Sequence, residues 1–321
     1  MPSSDSLPVR ENRRDYGLRD WLDRLDLTER LTVLKPGTDL HFELAGIANR
    51  LDGRQASYFP KPGGNDVGVV SGLISNRAWM AEALGVAEDM LVPAFQDAIA
   101  NPLSTITVKN PPCQEVVHDN PDLQKLLPIP THNEHDSGAY ITAGLAITKN
   151  PKTGVQNVAI HRLQVSGPQE LGVLLLPRHT LAFFESVEKD GGDLDIAIVV
   201  GARRATLLAS QAVMPIDFDE LEIAGALGGA SLEVTRCLES DIVVPADAEI
   251  VIEGKIVAHR RAMEGPFGEF PQYYGEQAER HVIQVTKVTH RKDPIFHTIV
   301  GGGLEHLLLC LLYTSPSPRD S

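Results

Sequence analysis

The sequence is short of positive charge. Its 29 Lys and Arg stand against 43 Asp and Glu, a formal net charge of −14. That balance disfavours nucleic-acid backbones and anionic membrane surfaces as partners, because their phosphates need a basic counterpart. Cysteine is scarce too. Cys113, Cys237 and Cys310 form no CxxC pair, which excludes a disulfide scaffold and fits a reducing compartment. No apolar run approaches the roughly 18 residues of a membrane span. The polar start MPSSDSLPVRENRRDYG lacks the apolar stretch of a signal peptide, so the cytoplasm is the default location. There is no internal repeat and no HExxH motif, which disfavours a metal hydrolase. The glycines of GALGGA (225–230) and GGG (301–303) match neither a P-loop nor a dinucleotide fingerprint. What the chain does have is apolar material, 42 % of 321 residues. That suffices for a sizeable core and about two domains.

Hydrophobic spacing divides the chain. Residues 1–15 are polar and aperiodic, a disordered arm. Leu18, Trp21, Leu22 and Leu25 recur at helical spacing. Phe42 to Leu51 fits a strand or a helix, Val67–Leu73 a strand, and Asn76 a cap for an Ala-rich helix. Ala87–Ile99 is helical again. Residues 16–115 therefore form a small α/β domain. The Pro-rich stretch 110–131 is expected to run extended over a surface. After it, short strands are predicted at 140–149, 155–166, 173–176, 195–200, 231–237, 242–244, 249–257 and 281–289. Helices at 180–188 and 205–212 interrupt them. The turn signals NPKTG, PADAE and HRKDP suggest a barrel-like antiparallel sheet. GGGLEHLLL (301–309) opens a glycine turn and an amphipathic helix. CLLYTSPSPRDS (310–321) cannot continue that helix. It reads either as translated adapter sequence on a truncated frame, the preferred view, or as a genuine flexible tail.

Three local patterns carry candidate chemistry. In Glu264-Gly-Pro-Phe-Gly-Glu269, two carboxylates bracket a turn. If both face one cleft, their pKa values are pushed apart into one acid and one base. If not, they are solvated glutamates beside a turn. Phe267, Phe270, Tyr273 and Tyr274 suggest a partly apolar pocket around them. In Asn157-Val-Ala-Ile-His-Arg162, an Arg in an apolar strand faces a ligand or forms a strand-end salt bridge. If Asn157 and Arg162 serve one site, the strand bends or bulges near Ala159. His179, in Pro177-Arg178-His179-Thr180, is a metal ligand or a helix N-cap neighbour. Glu220 is a ligand or a solvated helix-start acid.

In order along residues 16–309, LLPIPTHNEHDSGAYITAGLAI, NVAIHRLQ, LLLPRHT, AIVVGA, DFDELEIAGAL, LEVTRC, DIVVPADAEIVIEG and EGPFGEFPQYYG resemble the UbiD-like decarboxylases. The resemblance implies an α+β chain: an N-terminal α/β domain (16–115), then a split β-barrel that binds prenylated FMN (116–300). Residues 301–309 then begin a C-terminal α/β domain that is missing. The implied activity is a carboxy-lyase. It reversibly decarboxylates an aromatic, heteroaromatic or α,β-unsaturated acid, without oxidation, through a covalent adduct with prenylated FMN. The metal trio falls on Asn157, His179 and Glu220, holding Mn2+ (or Mg2+) against the cofactor phosphate. Ala159, Ile160, Arg162 and Arg178 complete the cofactor contacts. K+ is held by backbone oxygens of Ala209–Ala212 with Glu220. The catalytic set falls on Arg162, Glu264 and Glu269, with Arg162 and Glu264 orienting the substrate carboxylate and Glu269 donating the proton.

The same resemblance implies a flavin prenyltransferase as cofactor supplier and a homo-oligomer for the intact protein. It implies no nucleic-acid partner. Three features depart from the pattern. Arg178 precedes His179, the 162–179 segment is one residue shorter than in the fungal members, and Ala212 stands where those have Met. The C-terminal domain with its phosphate-binding lysine is expected beyond residue 309, so the chain as written is expected to be inactive. The rival readings are an FMN oxidoreductase on a split barrel, which does not need both acids of EGPFGE, and a non-catalytic remnant.

Overall fold

The computed structural model describes residues 17–269, 271 and 273–310. The expected disordered arm (1–15), the tail from 311 onward, and Phe270 lie outside them. The helix Leu18–Leu27 buries the anticipated face of Leu18, Trp21, Leu22 and Leu25. The Trp21 indole N–H donates to the Leu73 carbonyl at 2.8 Å. The ambiguous Phe42–Leu51 segment is a helix, Glu43–Leu51, burying Leu44, Ala45 and Ala48. Asn76 caps the helix Arg77–Ala83 by accepting the Trp79 N–H at 2.9 Å. These helices pack on a four-stranded sheet ordered Leu31–Val33, Ala56–Phe59, Gly68–Ser71, Ile295–His297, and Leu91–Ala100 packs instead on the helix Glu220–Gly228. The fourth strand, parallel to Gly68–Ser71, comes from the far end of the chain. A carboxylate secures that return. Glu305, in the helix Leu304–Cys310, accepts the backbone N–H groups of Gly72, Leu73 and Ile74 at 2.9, 2.9 and 3.1 Å.

The second layer is a curled antiparallel sheet. Its order is Tyr140–Ile141, Leu163–Gly167, Glu170–Val173, Ala278–His290, Ile250–Glu264, Leu194–Val200, Leu145–Lys149, Gln156–Ile160. Val116–Asp119 adds to Ala278–His290. The strands fall near where alternation and turn signals put them, but 140–149 and 155–166 are each broken in two, the strand expected at 173–176 runs instead at Glu170–Val173, and the one expected at 249–257 continues to Glu264. The long central pair is interrupted near Gly254 and again between Ile256 and Arg261. At Gly254 the partner backbone at Gln284 comes too close for any side chain, a bulge device that lets a sheet curl. The helix His179–Glu188 packs Phe183 and Phe184 with Ile196, Ile252 and Ile283 on one side of the sheet. The helices Arg204–Ala209 and Glu220–Gly228 pack with Leu145, Val199 and Val251 on the other. A three-stranded sheet of Ile106–Thr107, Glu233–Arg236 and Val243–Pro245 completes the architecture.

One expectation is corrected here. The 110–131 stretch is not a surface connector. It forms the strand Val116–Asp119 and a short helix, Leu123–Leu126, and Leu123, Leu127 and Ile129 enter the core. Proline forbids ladder donors but not burial. The Tyr140 and Thr131 N–H groups hydrogen-bond to the Pro130 and Leu40 carbonyls, so backbone polarity is satisfied inside.

Candidate functional site

The residues His161 and Arg162 lie between the strands Gln156–Ile160 and Leu163–Gly167. The chain therefore bends there and not at Ala159, which keeps regular register with Ala146. A two-residue break does what a bulge was expected to do: it turns Arg162 out of the strand.

The Arg162 guanidinium spans two carboxylates. Its Nη2 donates to Glu264 Oε2 at 2.9 Å, and its Nη1 donates to Glu269 Oε1. The environments of the two acids differ sharply. The Glu264 side chain is fully buried, whereas that of Glu269 keeps 31 % of its surface exposed. Glu264 Oε1 also accepts from the Tyr140 hydroxyl at 3.1 Å. Burial, together with the Glu264 charge, pushes the Tyr140 phenol up, so it stays a proton donor. The Phe267 ring lies under Arg162, 5.3 Å from the guanidinium carbon, and 4.5 Å from Tyr140. The turn is closed by hydrogen bonds from Gly275 N–H to Phe267 O and from Glu269 N–H to Tyr273 O, both 2.9 Å. Asp136 anchors it by accepting the Gly268 N–H at 2.8 Å. A side chain at Gly275 would sit 3.1 Å from Arg162 Nη1, so glycine leaves the space the guanidinium occupies.

Of the expected apolar pocket around the acids, Phe267 alone among the described residues is buried there, and Phe270 lies outside them. Tyr273 is 68 % exposed, and Tyr274 is exposed with its ring edge-on to His135. Tyrosines on the tip of a short turn have no core within reach. Tyr140 was not identified from the sequence. Its one available signal was a tyrosine in an apolar strand, whose hydroxyl needs a buried partner.

A second cluster gathers at the start of the same strand. Asn157 Oδ1 accepts from His179 Nδ1 at 2.8 Å. Asn157 Nδ2 points to Thr180 Oγ1 at 3.5 Å, and His161 Nε2 lies 3.3 Å from that hydroxyl. Burial lowers His161 to about 4, so its ring is neutral. Glu220 is 3 % exposed and is no solvated helix-start acid. Its Oε2 accepts the Val158 N–H at 2.7 Å, one residue after Asn157. Burial raises its carboxyl to about 8, with the Asp219 charge contributing. Asp219 caps the helix by accepting the Leu221 N–H at 2.9 Å. Thus Asn157 and His179 are paired, Glu220 is held on the backbone of the next residue, Val158, and Ala159 and Ile160 lead from there to Arg162. Arg178 is exposed at the N-cap of the helix His179–Glu188. Ala209–Ala212 closes the helix Arg204–Ala209, which packs on Glu220–Gly228.

The donor set suits a hard or borderline divalent ion. Two ligands about 2.1 Å from one ion at a right angle lie about 3.0 Å apart, close to the Asn157–His179 contact. A proton now lies between them, and a cation would replace it. Glu220 supplies a buried carboxylate with one neutral donor. The described residues hold no group of three His, Cys, Asp or Glu that could bind a metal; this set depends on its amide. A cavity of about 460 Å3 is lined by residues that include Gln156, Asp219 and Lys149. Gln156 and Asp219 each adjoin a trio member, Asn157 and Glu220, and the cavity reaches neither Arg162 nor the two acids.

Residues 105–304 match the family profile described as the 3-octaprenyl-4-hydroxybenzoate carboxy-lyase Rift-related domain. Residues 22–99 match the N-terminal domain of the same carboxy-lyase. The chain is 35 % identical over 292 residues to the anhydromevalonate phosphate decarboxylase of Methanothermobacter thermautotrophicus, covering 91 % of this chain and 67 % of that protein. An evolved dimeric form of the UbiD-class enzyme HmfF from Pelotomaculum thermopropionicum, in complex with prFMN, superposes with a TM-score of 0.90 at 45 % identity. The match covers 92 % of this chain and 70 % of that one. The vanillic acid decarboxylase of Sedimentibacter hydroxybenzoicus in closed form matches with a TM-score of 0.86 at 27 % identity, over 92 % and 66 % of the two chains.

Proposed function

The chain belongs to the UbiD family of carboxy-lyases, and from that premise we propose that it decarboxylates an aromatic, heteroaromatic or α,β-unsaturated carboxylic acid, reversibly and without oxidation, using prenylated FMN. The observation that carries the proposal is the single guanidinium shared between a buried and a partly exposed carboxylate.

Glu264, fixed by Tyr140, holds Arg162 in place. An incoming substrate carboxylate competes with Glu269 for Arg162 Nη1, because both are anionic partners for the same donor. Glu269 released from that pair takes up a proton from solvent at its carboxyl and donates it to the carbon that loses carbon dioxide. The Phe267 ring covers one face of the guanidinium and excludes water there. Prenylated FMN, when bound, supplies the sink for the electrons of the breaking bond.

Asn157, His179 and Glu220 would hold Mn2+ (or Mg2+) against the cofactor phosphate. Arg178 and the N-terminus of the helix His179–Glu188 would add positive potential there. K+ would sit on backbone oxygens of Ala209–Ala212 beside Glu220. The same proposal includes a flavin prenyltransferase as supplier, a homo-oligomeric assembly, a cytoplasmic setting and a division between two domains near residue 115. No helix among the described residues is long and apolar enough to cross a membrane. No observation supports the expected inactivity of the chain as written.

The test is purification with a flavin prenyltransferase co-expressed. Mass spectrometry and metal analysis should find prenylated FMN and manganese, and a panel of aryl, heteroaryl and cinnamate-like acids should release carbon dioxide. Ordinary FMN with full redox turnover and no carbon dioxide would establish the oxidoreductase alternative.

A further inference from the structure

The break between the strands Gln156–Ile160 and Leu163–Gly167 releases two side chains, Arg162 toward the carboxylates and His161 toward the helix His179–Glu188. His161 Nε2 lies 3.3 Å from Thr180 Oγ1, and Thr180 Oγ1 lies 3.5 Å from Asn157 Nδ2. On the other side of the amide, Asn157 Oδ1 lies 2.8 Å from His179 Nδ1. Four side chains therefore form one chain, His161–Thr180–Asn157–His179. Thr180 is 4 % exposed and Asn157 6 %, so its two middle members must find their hydrogen-bond partners within it. The His161 ring is neutral, burial having lowered it to about 4, so what varies there is the tautomer and not the charge.

Proton counting leaves two arrangements. Asn157 turns its amide oxygen to His179 and its N–H to Thr180, or the reverse after a half-turn of the amide. Shape does not separate them, because the oxygen and the NH2 group are nearly the same size, but donors do. In the first arrangement Asn157 Nδ2 donates to Thr180 Oγ1. The single Thr180 proton then needs an acceptor, which is His161 Nε2, and the His161 ring proton is on Nδ1. In the second, Thr180 donates to the amide oxygen and accepts from His161 Nε2–H. A mixed state leaves either the buried Thr180 proton or one acceptor without a partner. The observed contacts are those of the first arrangement. It alone aims an oxygen at the place a cation would take between Asn157 and His179, since the NH2 group is a donor with no lone pair to offer a metal.

We propose, resting on the metal site described under the proposed function, that His161 acts through Thr180 to hold the Asn157 amide in its metal-binding orientation, so that the tautomer of a residue outside the metal trio decides whether Asn157 is a ligand. His161 and Thr180 are positioning residues. The coupling is reciprocal. A cation held by Asn157 Oδ1 selects the Nδ1–H form of His161, and the Nε2–H form weakens the hold on the cation. Because His161 adjoins Arg162, the same two-residue break serves both the carboxylate cluster and the metal ligands.

The test uses the protein purified with its flavin and freed of metal by chelation, at equal flavin content. Mn2+ affinity is read from the EPR signal of the free ion. Thr180→Val keeps the shape and removes the hydroxyl, and should weaken Mn2+ binding about tenfold or more, the scale of a lost outer-shell partner. His161→Phe removes the acceptor of the Thr180 proton and should weaken binding in the same direction. Thr180→Ser keeps the hydroxyl and should stay within about threefold of wild type. Ring nitrogen NMR shifts of His161 are read with diamagnetic Mg2+ in place of Mn2+. Mg2+-bound wild type should show the Nδ1–H form, and Thr180→Val, where the link is cut, should give the same His161 spectrum with and without Mg2+. An Nε2–H ring in Mg2+-bound wild type, or Mn2+ affinity unchanged in either Thr180→Val or His161→Phe, overturns this inference and leaves the metal site standing. Wild type that binds neither ion sinks the metal site, and this inference falls with it.

Discussion

Replacing Arg162 by Met should destabilise the protein, and the structure sets the scale. Glu264 is fully buried with two partners, Arg162 Nη2 at 2.9 Å and the Tyr140 hydroxyl at 3.1 Å. Removing the guanidinium leaves a carboxylate in the interior with one neutral donor. Breaking a buried pair from one side costs about 3–5 kcal/mol. At about 2 °C per kcal/mol for a chain of this size, the melting point should fall by roughly 6–10 °C. Adding Glu264→Gln removes the stranded charge and should restore at least about 2 kcal/mol at pH 8. Urea unfolding of wild type, both single variants and the double variant at pH 8 measures each quantity. An Arg162→Met protein within about 1 kcal/mol of wild type at pH 8 would refute the reasoning, because Glu264 would then have no need of its partner.

Glu269→Gln should lower carbon dioxide release about 10²–10⁴-fold. Flavin and metal content should stay unchanged, since the partly exposed pair with Arg162 contributes at most about 1 kcal/mol to stability. Glu305→Ala strands three backbone N–H groups and should cost at least about 3 kcal/mol in urea unfolding, whereas Glu305→Gln keeps an acceptor and should recover part of it. His132 titrates at about 4 folded and about 6.5 unfolded. It contributes stability that is full above pH 6.5 and lost as pH falls toward 4, roughly 3 kcal/mol in all; the wild-type stability profile should be steeper there than that of His132→Leu. Mn2+ added to metal-free protein should raise the melting temperature, and Asn157→Ala and His179→Ala should each remove that shift.

Most of the strands were legible because alternation and turn chemistry are local. Asn76 and the helix face from Leu18 to Leu25 were legible for the same reason. The ordered motifs brought Asn157, His179, Glu220, Arg162, Glu264 and Glu269 into consideration; the structure pairs Arg162 with Glu264 and Glu269, pairs Asn157 with His179, and sets Glu220 on the Val158 amide. What failed was everything set by distant neighbours. The break at His161–Arg162 leaves no glycine or proline to mark it. Tyr273 and Tyr274 looked like pocket walls because composition carries no direction. Glu220 and Glu305 occupy first-turn helix positions where acids are usually solvated, and only the packing of other segments buries them. His132 sits in a histidine- and acid-rich stretch with nothing to distinguish it. Its buried ring meets Thr298 Oγ1 at 2.8 Å, a partner 166 positions further along the sequence.

The parallel pairing of Gly68–Ser71 with Ile295–His297 sets an order on synthesis. Roughly 220 residues emerge between those strands, about 10–45 s of translation at typical elongation rates. During that interval the edge of Gly68–Ser71 waits without its last neighbour, and the N–H groups of Gly72, Leu73 and Ile74 wait for Glu305. The first unit to leave the ribosome is thus among the last to be finished. An apolar strand edge left open that long is a target for chaperones and for wrong partners. Pausing or slow codons placed after residue 297 should affect the yield of folded protein less than the same delays placed between 71 and 295.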